Sequence, residues 1–314
     1  MHAIGVDIGG TKIAAGVVDE DGVILAKSVR PTVAADSDAV DRAVVAACQE
    51  LAADFEIAAI GLAAPGFISS DQATVLFTPN LPWRDHPLRD RVAAELGPDV
   101  RIVVENDANA AGWAEFRFGV GKDVDDMLML TIGTGLGGAV IVGGTLVRGA
   151  WGVAAEVGHM RVVPDGILCG CGHRGCWEQY ASGSALVREA QAAMVREPQR
   201  AHRLLELAGG SPAGLAGPQI TVAATEGDPL AIELLAALGR WIGEGAASVA
   251  AVLDPAMVVV GGGVGAAGDL LLEPTRAGFA SQLSASGYRP VAAINLAAMG
   301  NDAGIVGAAD LARA

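Results

Sequence analysis

The chain has 314 residues, 52% of them hydrophobic, with 36 acidic and 21 basic side chains and a formal net charge of −15. At ~100–200 residues per domain that length suggests two domains, and the acidity argues against a general nucleic-acid binder, which needs cationic surface to displace counterions. The mean hydropathy of +0.41 comes from Ala, Val and Gly spread along the chain, and no run reaches the ~18–20 unbroken apolar residues of a membrane-spanning helix.

Asp7 and Lys12 interrupt the first apolar stretch, so no signal peptide is expected. Ile4 to Asp7 reads as a short strand, followed by Gly9-Gly10-Thr11, a second apolar run from Ile13 to Val18, a turn at Asp19–Gly22 and a third run from Val23 to Ala26. The same pattern returns later. Met127 to Ile132 leads into Gly133-Thr134-Gly135, then Gly138 to Val142, Gly143-Gly144 and a short strand through Leu146-Val147. Each block predicts an antiparallel meander opening a domain.

Between and after the meanders, helices alternate with strands. Helical spacing covers Asp38 to Ala53 with a Ser37 cap, Leu88 to Leu96, Ala108 to Phe118, Pro229 to Leu253 (stopped by Asp254-Pro255), Asp269 to Leu283 and the end of the chain from Ala303. Strands are predicted at Ile57–Leu62, Arg101–Val104, Met257–Val260 and about 291–296, and a loop at Gly209–Gly217. This alternation indicates mixed α/β domains.

Two stretches match G-x-G-x-x-G, at Gly133-Gly135-Gly138 and Gly263-Gly265-Gly268. The first runs into a strand instead of a helix, and the second lacks the acidic strand end about 20 positions on that a dinucleotide site needs. No Walker-type lysine motif is present. One glycine turn alone would be ordinary hairpin chemistry. Here the Gly-Thr pair recurs at equivalent places, with Asp7 before the first and Lys12 after it, so two hairpins could wrap phosphates with backbone N–H groups and hydroxyls. Asp7 could hold Mg²⁺.

Asp107 stands where a strand gives way to a helix, a position that suits either a helix cap or a functional carboxylate. Glu105, two residues earlier, should point to the other side of the strand and serve structure. Of the four cysteines, Cys48 stands alone, whereas Cys169, Cys171 and Cys176 crowd with His173 into a glycine-rich loop. That is no secreted disulfide framework, and three soft ligands so close favour structural Zn²⁺. Spacing leaves His159 and His173 as rival fourth ligands.

Asp7-Ile8-Gly9-Gly10-Thr11-Lys12, Glu105-Asn106-Asp107-Ala108-Asn109-Ala110-Ala111, Gly133-Thr134-Gly135-Leu136-Gly137-Gly138, Glu156-Val157-Gly158-His159, the cysteine motif and Gly261-Gly262-Gly263 together resemble ROK-family sugar kinases, in the family's order over nearly the whole chain. The match looks closest to the ATP-dependent glucokinases within that family. The resemblance implies a two-domain actin/hexokinase-like (ribonuclease H-like) fold with an interdomain cleft. The expected division is a small domain over 1–108, with a helix at about 301–314 packing back on it, and a larger domain over 109–300 with the zinc loop.

It further implies ATP-dependent phosphorylation of glucose at the 6-hydroxyl, with Asp107 as general base. Gly66, Asn80, Asn106, Glu156, His159 and Glu178 would bind the sugar. Asp7, Gly9, Gly10, Thr11 and Lys12, with Gly133, Thr134 and Gly135, would bind ATP and Mg²⁺, and Gly261, Gly262, Gly263 and Val264 the adenosine. His159, Cys169, Cys171 and Cys176 would hold zinc. Another hexose, such as fructose or N-acetylmannosamine, is the alternative substrate. A non-catalytic sugar-sensing regulator is the alternative class, disfavoured because Asp7 opens the first motif and leaves no room for a DNA-binding domain. An actin-like filament protein would need neither the cysteine knot nor E-x-G-H, and polyphosphate-dependent relatives usually depart from the cysteine motif. A cytoplasmic homo-oligomer, dimer or tetramer, with no nucleic-acid or membrane partner is expected.

Overall fold

A computed structural model of the protein describes residues 1–78, 81–97 and 100–314. Its contacts divide the chain into two compact units. The first comprises Met1–Val124, Ala139–Ala155 and Ala298–Ala314, and the second Asp125–Gly138 and Glu156–Ala297.

The first unit opens with the predicted meander, β1 (His2–Ile8), β2 (Lys12–Val18) and β3 (Ile24–Pro31). Its third strand runs five residues further than the apolar run, because every residue of β2 finds a partner in it, out to Lys12 opposite Pro31. Then follow α1 (Ser37–Ala52), β4 (Ile57–Ala64), the short strands β5 (Phe67–Ile68), β6 (Val75–Phe77) and β7 (Arg84–His86), α2 (Leu88–Leu96), β8 (Arg101–Asn106) and α3 (Asp107–Arg117). The main sheet is ordered β3-β2-β1-β4-β8, with β1, β4 and β8 parallel, while β5, β6 and β7 form a small antiparallel sheet that the sequence reading did not anticipate. The cap of α1 is Asp36, whose Oδ1 accepts from Ala39 N at 3.1 Å, one residue before the expected Ser37.

Alternation along β1 decides what packs on each face. Ile4, Val6 and Ile8 enter a core with Val40 and Val44 of α1 and Val92 of α2. The opposite face is built small, with Ala3 in a second cluster beside Ile305 and Ala309. Gly5 and Gly61 are register partners on this face. A Cβ on either would stand 1.8 or 1.9 Å from the carbonyl oxygens of Ile305 or Ala308. The C-terminal helix therefore lies directly on the sheet backbone.

The second sheet is built from β9 (Met127–Ile132), β10 (Leu136–Val142), β11 (Thr145–Leu146), β12 (Met257–Gly261) and β13 (Ala293–Leu296), in the order β11-β10-β9-β12-β13. Three meander strands followed by two outer strands is the order of the first sheet as well. The repeat legible in the two Gly-Thr blocks is a repeat of topology. Helices α4 (Gly183–Arg196), α5 (His202–Leu207), α6 (Gly217–Thr225), α7 (Pro229–Leu253) and α8 (Asp269–Gln282) complete the second unit, and α9 (Ala303–Arg313) returns to the first. Asp228 caps α7 ahead of Pro229, accepting from Ala231 N at 2.8 Å, and Asp254 ends it with φ of 47°. No helix among the described residues is long and apolar enough to cross a membrane.

The division expected from the resemblance ended the first domain at 108, whereas the first unit runs on to Val124 and also takes in Ala139–Ala155. The reason is packing: a Cβ on Gly307 of α9 would meet Ala110 O of α3 at 1.8 Å, so these helices cannot belong to separate bodies.

Candidate active site

In the first unit, parallel pairing brings Asp7, Ala63 and Glu105 into register at the ends of β1, β4 and β8. Ligands of open α/β sheets gather at such strand ends. The hairpin after Asp7 is closed by Gly9 N donating to Lys12 O at 2.9 Å, and Thr32 ties it from β3's end, its Oγ1 donating to Gly9 O at 2.7 Å and its N to Thr11 O at 3.0 Å. Lys12 stays exposed. Burial pushes the Asp7 carboxyl above its ordinary range, and Lys12 only partly offsets this.

At the β8–α3 junction Asp107 is not the helix cap. The helix cap is Asn106, whose Oδ1 accepts from Asn109 N at 3.0 Å. Its Nδ2 donates to Gly66 O at 3.0 Å. Asp107 is the first helical residue, half-buried, with its Oδ1 accepting from Ala108 N at 2.9 Å. Its pKa is pushed up to about 6, chiefly by burial and then by the negative charge of Asp7. Gly66 has φ of 99°, and a Cβ there would lie 2.1 Å from Phe77 O, so the Gly66 turn is pressed against the strand that leads to 78–83. Asn80 lies outside the described residues. Trp83 is fully buried and stacks on His86, a packing role. Glu105 is buried and fully engaged, with Arg148 Nε at 2.6 Å among its partners.

In the second unit, the ligand atoms of His159, Cys169, Cys171 and Cys176 all lie within 4.8 Å of one another. His159 Nδ1 is 3.7 Å from Cys169 Sγ, and Cys171 Sγ is 3.5 Å from Cys176 Sγ. Bonds of ~2.0–2.3 Å to a tetrahedral zinc place neighbouring ligands ~3.5–3.8 Å apart, so the donor set and its spacing fit Zn²⁺. His173 is exposed and lines a separate open groove with Arg161 and Arg174. The loop's own geometry brings the thiols together: Cys169 N donates to His173 O at 2.8 Å, and Gly175, with φ of 77°, has Val163 O where a Cβ would stand.

Glu178 follows the knot directly. Its Oε1 accepts from Cys169 Sγ at 3.1 Å, and its Oε2 sits 2.6 Å from where a Cβ on Gly135 would be. Glu156 is half-buried ahead of the turn Val157–His159. Gly158 packs flush on β10, with Leu136 O only 2.1 Å from a Cβ position.

The second unit also holds a cavity of about 520 Å³ lined by Gly133, Thr134, Gly263 and Val264 together with α4 and α6. The α4 and α6 wall, including Ser184, Val187, Arg188, Gln191, Pro218 and Thr221, was absent from the sequence reading. Neither helix carries a motif, and the stretch before α6 was read as loop. Gly183 N donates to Gly133 O at 2.8 Å, so α4 starts directly on the second Gly-Thr-Gly turn. Gly261 and Gly262 do not line the cavity: a Cβ would meet Met129 Cε at 2.5 Å or Ile132 O at 2.4 Å, which makes them packing glycines. Gly135 likewise faces Glu178 instead of the cavity.

Two sheets of one topology, each with a Gly-Thr hairpin after its first strand, and α9 folding back on the first, define an actin/hexokinase-like protein of mixed α/β class. The ROK family model matches residues 3–314, and the chain belongs to that family. It is 50% identical over 310 residues to the glucokinase of Streptomyces coelicolor, covering 99% of this chain and 97% of that protein. The N-acetylmannosamine kinase of Escherichia fergusonii is 34% identical over 320 residues, covering 100% of this chain and 99% of that one. The crystal structure of a ROK family glucokinase from Streptomyces griseus in complex with glucose and AMPPNP superposes with a TM-score of 0.91 at 50% identity, covering 100% of this chain and 99% of that chain.

Proposed function

We propose that this protein is an ATP-dependent glucokinase that transfers the terminal phosphoryl group of ATP to the 6-hydroxyl of glucose. The observation that carries the mechanism is Asp107, a half-buried carboxyl relieved of capping by Asn106 and tuned to about 6. A base of that pKa is ionised at neutral pH yet basic enough to take the hydroxyl proton as O6 attacks phosphorus. The full-length likeness to the Streptomyces glucokinases supports glucose as the sugar and ATP as the donor.

Asn106, Gly66 and Asn80 are assigned to the sugar in the first unit, and Glu156, His159 and Glu178 to sugar hydroxyls in the second. Because Asn106 spends its Oδ1 and Nδ2 on Asn109 N and Gly66 O, its second amide proton remains for a hydroxyl. Gly9, Gly10, Thr11 and Lys12 are assigned to phosphates, as are Gly133, Thr134 and Gly135 of the second hairpin, and the cavity flanked by Gly263 and Val264 takes the adenosine. A half-buried carboxylate such as Asp7 is the kind of oxygen donor that hard Mg²⁺ accepts, and Mg²⁺ on ATP would supply charge neutralisation. The four-donor knot suits a closed structural zinc, which would fix the chain around Glu156 and Glu178.

A coupled ADP-release assay over a hexose panel, with ATP and polyphosphate as rival donors, tests this reading. Glucose with ATP should give the highest kcat/KM. Preference for fructose or N-acetylmannosamine would replace the sugar and leave the base in place; the likeness to N-acetylmannosamine kinase makes that sugar the necessary control.

A further inference from the structure

We infer that Glu105 is a positioning residue for hexose binding, the hub on which three segments of the first unit are fixed, and that Arg148 is its essential partner. The inference rests on the glucokinase reading above. Glu105 is only 3% exposed, and a buried carboxylate survives only when its lone pairs are met. Here four donors meet them. Oε1 accepts from Asn106 N at 3.0 Å and Asn109 Nδ2 at 3.0 Å, and Oε2 from Arg148 Nε at 2.6 Å and Gln72 Nε2 at 3.2 Å. With no acceptor site left over, Glu105 is unsuited to be a base.

The four donors come from three separate places in the chain. Asn106 and Asn109 belong to the turn and first helical residues that carry Asp107. Gln72 lies in the β5–β6 turn with φ of 54°, and its carbonyl accepts from Val104 N at 3.0 Å, so that turn is fastened to β8 through both backbone and side chain. Arg148 follows β11 and roots the segment that continues covalently into Glu156. Ala154 N returns to Arg148 O at 3.0 Å, and Gly152 presses on the β5 end, where a Cβ would lie 2.3 Å from Ile68 O. One carboxylate thus sets the mutual placement of the Asn106–Asp107 turn, the 69–72 turn and the 148–155 segment, over sequence separations of 33 and 43 residues.

The consequence is selective. The cavity assigned to adenosine is lined by none of these residues. Glu105→Gln keeps the shape but offers an amide N–H₂ to groups that are all donors, so it should raise the glucose KM at least tenfold and lower kcat. The ATP KM should stay within twofold. Arg148→Met should reproduce the pattern and Arg148→Lys, which keeps the charge, should recover part of it. Gln72→Ala removes one uncharged donor and should raise the glucose KM two- to fourfold, which keeps the inference testable if Glu105→Gln fails to fold. Direct glucose titration by calorimetry on each folded variant reads the same loss without turnover. A residue that merely held the fold together would reduce active enzyme and melting temperature with both KM values unchanged, and that result would overturn the inference while the wild-type activity stands. Wild-type protein that phosphorylates no hexose would overturn the glucokinase reading and this inference with it.

Discussion

A carboxyl group that ordinarily titrates near 4 and is pushed up to about 6 has two measurable consequences. The first is kinetic: the base must be ionised, so kcat/KM for the sugar should rise with pH through an acid limb near 6. Asp107→Asn should lower kcat by ~10²–10⁴ with the fold retained, read by turnover and circular dichroism together. The second is thermodynamic. A carboxyl whose folded pKa is raised stabilises the fold fully below its ordinary pKa and loses that contribution as pH rises through about 6. Asp107→Asn should therefore be more stable than wild type at pH 8, by about 1–3 kcal/mol, and the gap should close by pH 4. Lower stability of the variant at pH 8 would mean that burial and Asp7 do not strain this group. At this scale the sequence showed Asp107 as a junction residue but left cap and base undecided. The structure gives the capping bond to the Asn106 amide oxygen, and the role of base is what the family resemblance implies.

At the scale of elements, the cysteine loop and the Gly133-Thr134-Gly135 turn meet in Glu178, which accepts from Cys169 Sγ with one oxygen and from Leu136 N with the other. Purified protein should carry about one zinc per chain by elemental analysis. Removing it with a chelator should raise the glucose KM or melt the loop, since a zinc held by the four donors would order the segments that bear Glu156 and Glu178. Retained glucose affinity in zinc-free protein would detach the metal from the sugar. The start of α4 offers a contrasting probe. A Cβ at Gly183 would stand 2.7 Å from Gly133 O, and Gly183→Ala should push the turn by about 1 kcal/mol of crowding, roughly a fivefold rise in ATP KM. The glucose affinity should not follow. These elements were unequally legible. The thiols announced their chemistry by spacing, but the fourth ligand did not. His173, closer to them in sequence, points into an open groove, while His159 arrives from a turn ten residues before Cys169.

For the molecule as a whole, the first unit depends on a seam of small residues. Gly5 and Gly61 face Ile305 and Ala308, and Gly307 faces Ala110, each with a carbonyl where a Cβ would go. Gly5→Ala should cost about 1–3 kcal/mol or more by overpacking and lower the melting temperature by several degrees, measured by calorimetry. A neutral result would show that α9 can shift without penalty. Local pattern was enough to find α2 and α7 to the residue, because periodicity and Pro or Asp punctuation lie within one turn of the chain. It was also enough to find the repeat, since Gly-Thr after the first strand recurs in both meanders. The family followed from motif order. What only the tertiary structure decided were matters of distant contact: the α4–α6 wall of the cavity, the partners of Glu105, and the continuation of the first unit past residue 108 to Val124. Hydrophobic period and turn chemistry are properties of a few neighbouring residues, so a sequence displays them. A buried carboxylate and its partners 33 and 43 residues away are joined only when the strands come into register, and no local signal marks them beforehand.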